Sequence, residues 1–298
     1  MSDFKQWKHC QDANKGLIYA QNLGPFLSID ETSLSHGELY TIVTNKEAKG
    51  KKGALVAILE GTHTDTIIPL LHQLPVKERN KVKEVTLDLA GNMNLIVRRC
   101  FANATIVIDR FHVQQLATEA LQEIRIKHRW EALDAENEAI EESKRSKQNY
   151  IPEILSNGDT LKQLLARSRY LLYKHEQNWT PQQTDRANLL FDRFPDMKKA
   201  YDLTQNLSNI YNTSTEKIYA YTRLAKWHEK VEQAGFKAFN TISKTIMNHY
   251  KRILNYFDNR STNASAESFN AKIKAFRQHH RGVTDVNFFL FRLSNLYA

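Results

Sequence analysis

Apolar positions in the first third of the chain gather into short, β-branched runs. Pro25 to Thr32 (PFLSIDET) is the first and ends in acid; Glu38 to Asn45 (ELYTIVTN) and Gly53 to Gly61 (GALVAILEG) follow. Lys46 to Lys52, between the last two, is a polar, glycine-containing loop suited to an antiparallel connection. The period then changes. Thr64 to Leu74 sets Ile67, Ile68, Leu70, Leu71 and Leu74 near helical spacing, and Glu84 to Ala90 returns to a strand. Met93 to Phe101 reads as a short helix and Ala104 to Phe111 as a fifth strand. From Val113 to about Asn255 strand signals vanish, and about six helices are predicted. Thr180-Pro-Gln-Gln183 supplies N-cap, N1 and N3 of one; Thr213 and Ser214 before Glu216 open another that ends at Gly235. After a turn-rich stretch from Asp258 to Asn263, Ala264 to Phe276 is helical, with Phe269, Ile273 and Phe276 at i, i+4 and i+7.

The predicted order is β-β-β-α-β-α-β, an α/β chain. Three antiparallel strands followed by two crossover units is the layout of a ribonuclease-H-like core, here a mixed five-stranded sheet with helices. An all-helical insertion interrupts it. The expected divisions are an N-terminal extension at residues 1–24, a first core part at 25–113, the helical insertion at 114–256 and a second core part at 257–298. Active sites of open α/β sheets gather at the C-terminal ends of strands. Asp30, Asp88 and Asp109 all fall at or near such ends.

Composition sets limits. The chain has 298 residues, 41% hydrophobic and 25% charged, enough for one large core or two modest ones. No run nears the roughly 18 apolar residues that cross a bilayer, and the first residues hold no secretory h-region. Two distant cysteines, Cys10 and Cys100, offer neither a disulfide framework nor a zinc knuckle, which fits a reducing compartment, bacterial or nuclear. The formal net charge of +9 favours a polyanionic partner. From Lys251 onward eight cations face three acids.

Phosphodiester cleavage and strand transfer need charge neutralisation at phosphorus and an activated oxygen nucleophile. Two Mg²⁺ ions about 3.5–4 Å apart provide both, and they ask the protein for a few converging carboxylates. Asp30 on the first strand, Asp88 on the fourth and Glu267 on a late helix could supply them.

Four segments carry a resemblance: Ile29-Asp-Glu31, Val85-Thr-Leu-Asp-Leu89, Ile106-Val-Ile-Asp-Arg-Phe-His-Val113 and Thr262-Asn-Ala-Ser-Ala-Glu-Ser-Phe-Asn-Ala-Lys-Ile-Lys274. Together they resemble the DDE transposase superfamily, specifically the ISL-three group of bacterial insertion-sequence transposases, from about Pro25 to Tyr297. The resemblance implies a split catalytic core in which Asp30, Asp88 and Glu267 bind two Mg²⁺ (or Mn²⁺) ions. It implies cleavage at element ends and strand transfer into target DNA, by a homodimer or larger assembly on DNA. The long gap between Asp88 and Glu267 would hold an insertion domain that touches the DNA ends. Two rivals are a non-catalytic DNA-binding accessory and a ribonuclease-H-like nuclease without strand joining. Members of the group commonly begin with a zinc-binding region and a helix-turn-helix. Here about 24 residues precede the first strand, so recognition is expected from a separately encoded N-terminal DNA-binding partner, with a lost domain or the insertion domain as the alternatives.

Strand order favours Asp88 over Asp109 as the second acid, because Asp109 ends the fifth strand. Asp109 and His112 resemble the Cys/Asp-x-x-His signature of related transposases, with a structural or DNA-positioning role. Glu31 points to the opposite face of its strand from Asp30. His63 and Asp65 are better explained by a helix capped by Thr62 or Thr64 than as metal ligands. Lys272, Lys274 and Arg277 follow Glu267 on one helix, with Arg281 in the next turn (Gln278 to Gly282), and all four are candidate phosphate contacts. Trp130, Trp179 and Trp227 are expected to be packed in the helical block.

Overall fold

The computed structural model describes residues 16–33, 38–279 and 286–298. Its contacts divide the chain into two compact units, Met1–His112 with Lys251–Ala298, and Val113–Tyr250.

The first unit is built on a mixed sheet of six strands: β1 (Gly16–Ile18), β2 (Phe26–Ser33), β3 (Leu39–Asn45), β4 (Leu55–Glu60), β5 (Glu84–Leu87) and β6 (Thr105–Ile108), in the order β1-β4-β3-β2-β5-β6. β2, β3 and β4 form an antiparallel meander, and β5 and β6 run parallel to β2. Helices α1 (Thr64–Leu71) and α2 (Val76–Arg79) fill the crossover to β5, and α3 (Gly91–Cys100) the crossover to β6. Apart from β1 this is the ribonuclease-H-like order. The expected sheet had five strands; β1 is the sixth, pairing with β4 through Gly16↔Leu59 and Ile18↔Ala57. Three residues are too few to show a period, and this strand exists because the β4 edge is there to pair with.

β5 is buried on all four residues, as expected for a parallel strand covered on both faces. Its first residue, Glu84, is only 3% exposed and is held by Lys46 Nζ at 2.8 Å and by Asn259 Nδ2 at 3.2 Å. Burial pushes its carboxyl up, but the Lys46 ammonium, the Ser261 side chain and the Asn259 amide together hold it below the usual range. One sheet face is covered by α11 (Ala264–His279) and α12 (Val286–Tyr297), which follow the short α10 (Tyr256–Asn259). Phe269, Ile273, Phe289, Leu290 and Leu293 pack there on Tyr40, Ile42, Leu55 and Ile58, so the i, i+4 pair of α11 is the seam that fixes its rotation. α1 lacks the threonine cap expected of it: its N-cap is His63, with no side-chain cap bond.

The second unit is helical: most of α4 (Arg110–Arg145), then α5 (Leu161–Arg167), α6 (Pro181–Arg193), α7 (Pro195–Thr213), α8 (Lys217–Ala234) and most of α9 (Lys237–Leu254). Thr180 and Gln183 form the predicted capping box, and Thr160 and Gln163 form a second one. Gly235 closes α8 at φ 73°, a left-handed position that suits glycine. That helix is capped by Glu216 rather than by Thr213 or Ser214; Thr213 is still the last residue of α7. Trp227 is buried with its indole N–H donating to Leu203 O, and Trp179 packs on Phe191 and Tyr201. Trp130 departs from expectation. It is 62% exposed, because its position on α4 lies off the face buried by Leu121 and Arg125. Among the described residues no helix is long and apolar enough to cross a membrane.

Candidate active site

The parallel pairing of β2 with β5 aligns two acids. Ser28 is level with Thr86, so Asp30 and Asp88, each two residues further on, emerge side by side at the same end of the sheet. Asp88 lies just past β5, where its Oδ1 accepts the Ala90 amide at 2.8 Å; that turn delivers the chain into α3. Asp30 Oδ1 accepts the Glu31 amide at 2.9 Å.

The third acid comes from the other end of the chain. Glu267 lies in the first turn of α11, and one turn later Asn270 Nδ2 donates to Asp30 Oδ2 at 2.7 Å, across 240 residues of sequence. Burial lifts the Asp30 carboxyl to about 6, and the negative charges of Asp88 and Glu267 push the same way; the Glu31 amide and His112 oppose. Glu267 is likewise raised by burial and then by Asp109, against His112. Three acids from three elements therefore share one electrostatic neighbourhood.

Asp109 is placed differently. It is 1% exposed, its Oδ1 accepts the Asn263 amide at 3.2 Å, and its Oδ2 lies 3.3 Å from His112 Nδ1. Asn263 directly precedes α11, and its carbonyl accepts the Glu267 amide at 3.0 Å. Asp109 thus fastens the start of the helix that carries Glu267. The nearby Asp109 carboxylate raises the pKa of His112 despite burial, with Asp88 and Asp30 adding to it. Glu31 does occupy the other face of β2: it accepts from Asn92 Nδ2 at 3.3 Å, while Asn92 also donates to Thr62 O at 3.0 Å.

The candidate cations separate. Lys272 is half-buried, donates to Gly50 O and sits 5.1 Å over the Tyr297 ring, turned away from the acids. Lys274 and Arg277 are exposed. Arg281 lies outside the described residues. Asn270, Asn92 and Asn263 are the positions that sequence reasoning left without a role. The i+3 spacing of Asn270 from Glu267, and the place of Asn263 and Asn270 in the Thr262–Lys274 segment, were the available signals; Asn92 carried none.

The donor set has the chemistry for a hard divalent cation, since oxygen ligands from three carboxylates suit Mg²⁺ or Mn²⁺. Among the described residues no three acidic, histidine or cysteine side chains are placed to hold an ion as they stand. As they stand, the oxygens of Asp30 and Asp88 accept from the Asn270 side-chain amide and from the backbone N–H groups of Glu31 and Ala90.

A family profile described as Transposase, of the ISL3 DDE type, matches residues 27–293. The chain belongs to the ISL3 family of DDE transposases. Among curated relatives, the transposase for insertion sequence element IS1001 of Bordetella parapertussis is 23% identical over 271 residues, spanning 90% of this chain and 60% of its own length. The transposase for IS1557 of Mycobacterium tuberculosis is 25% identical over 254 residues, spanning 83% of this chain and 54% of its own. The chain thus spans a little over half the length of these relatives. Among solved structures, the Drosophila P element transposase strand transfer complex aligns over 99% of this chain and 84% of its own at 13% identity, with a TM-score of 0.39. The family match runs through all three acids and through both units.

Proposed function

We propose that this chain carries the catalytic core of an insertion-sequence transposase, in which Asp30, Asp88 and Glu267 hold two divalent metal ions. Its reaction is cleavage of the phosphodiester at an element end, followed by in-line attack of the freed 3′-hydroxyl on target DNA. The observation that carries this reading is the Asn270–Asp30 hydrogen bond, which ties the Glu267 helix to the strand end where Asp30 and Asp88 emerge. When bound, Mg²⁺ or Mn²⁺ would neutralise charge on the phosphoryl oxygens and activate the attacking oxygen.

The chain's own groups have separable tasks. Asp30 and Asp88 present carboxylates from adjoining strand ends, and Glu267 closes the site from α11. Asn270 orients Asp30, while Asp109 and Asn263 set where α11 begins; partners of this kind fix the direction of ligand oxygens. His112 adds an imidazole whose protonated form Asp109 favours. Lys274 and Arg277, exposed on α11, would meet DNA phosphates, and the helical unit Val113–Tyr250 would be an insertion that contacts the DNA ends. Two ends must be joined, so the working form on DNA is a dimer or larger, assisted by a DNA-binding region that reads the terminal repeat.

The test is a nicking and joining assay on labelled element-end DNA with Mg²⁺ or Mn²⁺, supplying any N-terminal partner. Asp30→Asn, Asp88→Asn and Glu267→Gln should each abolish both steps while leaving the fold intact. Cleavage surviving in Asp88→Asn would overturn the assignment.

A further inference from the structure

In the helical unit, α4 carries Gln114, Thr118, Gln122, Arg125 and Arg129 along one face at helical spacing. The upstream half of this stripe lines a polar cavity of about 730 Å³ with Tyr173, Gln205 and Asn209, whose lining contains no Lys or Arg. The downstream half is cationic. Arg125 is only 4% exposed, and its guanidinium donates to Gln122 Oε1 at 2.7 Å and Leu165 O at 2.9 Å, both neutral acceptors. Gln122 in turn donates to the backbone of Arg169 at 3.2 Å, which brings a third arginine to the group. Among the described residues no carboxylate pairs with Arg125, Arg129 or Arg169. Elsewhere in the same unit Arg167 and Arg186 share buried Asp159, and Arg193 is paired with Glu153.

Burying a guanidinium without a counter-ion is costly, and two more cations beside it add to the cost. Burial and the neighbouring Arg129 and Arg169 push the Arg125 pKa down from its ordinary value. An anion is what the arrangement lacks. Exposed aromatics flank it: Tyr170, 69% exposed, lies under the Arg169 guanidinium at 5.5 Å, and Tyr173, also exposed, lines the adjoining cavity. Arginines interleaved with open aromatic faces suit a nucleic-acid backbone, with phosphates on the cations and sugars or end bases against the rings.

We infer that Arg125, Arg129 and Arg169 form a phosphate-binding site for the DNA backbone on the α4 face of the helical unit. The inference rests on the chain acting on DNA. It is tested by binding in EDTA, where no strand chemistry occurs, so failure of the acid trio would leave it standing and its own failure would not touch the trio.

The experiment measures anisotropy of a fluorescent random-sequence DNA duplex across a salt series, with the full chain and Arg129→Gln/Arg169→Gln. These two positions are exposed. The double variant should lose affinity on the order of tenfold, and the slope of log K against log salt should flatten by about 2, near 0.9 per lost contact. Arg129→Lys/Arg169→Lys should restore most of the slope, whereas Lys144→Gln, an exposed cation farther along α4, should change it far less. The double Gln variant should also unfold no earlier than the parent, because it removes like charges around Arg125. An unchanged slope would overturn the site, as would an equal effect from Lys144→Gln. Loss of polyglutamate binding with DNA binding intact would also overturn it, by making the cluster a protein-docking surface.

Discussion

Asn270 donates to Asp30 at 2.7 Å, and that bond links the helix of Glu267 to the first long strand of the fold. Asn270→Ala should leave the carboxylates in place but free Asp30 to rotate. Loss of such an orienting partner typically costs about 10–100-fold in metal affinity or activity. The expected result is a raised Mg²⁺ concentration for half-maximal nicking, with little change in thermal midpoint. Unaltered metal dependence would make the bond merely structural.

Asp30 gives a pH signature. Its folded pKa of about 6 lies above the ordinary 3.8, so the folded chain favours the protonated form. The stability from that form is complete below pH 3.8 and is lost as pH rises through about 6. Asp30→Asn should therefore be more stable than the parent above pH 6, by about 1–2 kcal/mol after allowance for solvent and for one lost acceptor. Melts across this range should show the advantage vanishing toward pH 4. Added Mg²⁺ should raise the parent's midpoint more at pH 8 than at pH 5.

Asp88 and Asp109 should fail differently. Asp88 makes one local turn bond, so Asp88→Asn should be inactive yet melt within about 0.5 kcal/mol of the parent. Asp109 is buried against His112 and the Asn263 amide, so Asp109→Asn should lose about 2–4 kcal/mol and lower the His112 pKa, visible by NMR titration. An Asp109→Asn variant that keeps full stability but loses all cleavage would reverse the two roles.

Lys272 should behave as a fastener rather than a DNA contact. It bonds Gly50 O and covers Tyr297, whose carbonyl accepts the Gly53 amide at 3.0 Å, so the β3–β4 loop and the end of α12 meet around it. Lys272→Ala should cost about 1–2 kcal/mol of stability. DNA affinity should fall less than in Lys274→Ala/Arg277→Ala, measured side by side. The opposite ranking would return Lys272 to the DNA-facing set.

Much of this protein was legible in its sequence. Hydrophobic period placed β2 through β6 and the helix of Glu267 within a few residues, because alternating and 3.6-residue patterns record which face is buried. Capping chemistry located the start of α6 at Thr180, since an N-cap bond is local. Tertiary structure decided what lacks a local period. β1 forms only because the β4 edge accepts it, and Trp130 is exposed because α4 buries a different face. Asn270, Asn263 and Asn92 acquire roles only when strands and helices distant in sequence meet. Lys272 is a candidate phosphate contact by sequence because its charge is visible there, whereas the carbonyl and ring that capture it arrive from residues 50 and 297. A sequence states which residues can bear charge or hide from water; which of them meet is settled by the packing of elements far apart along the chain.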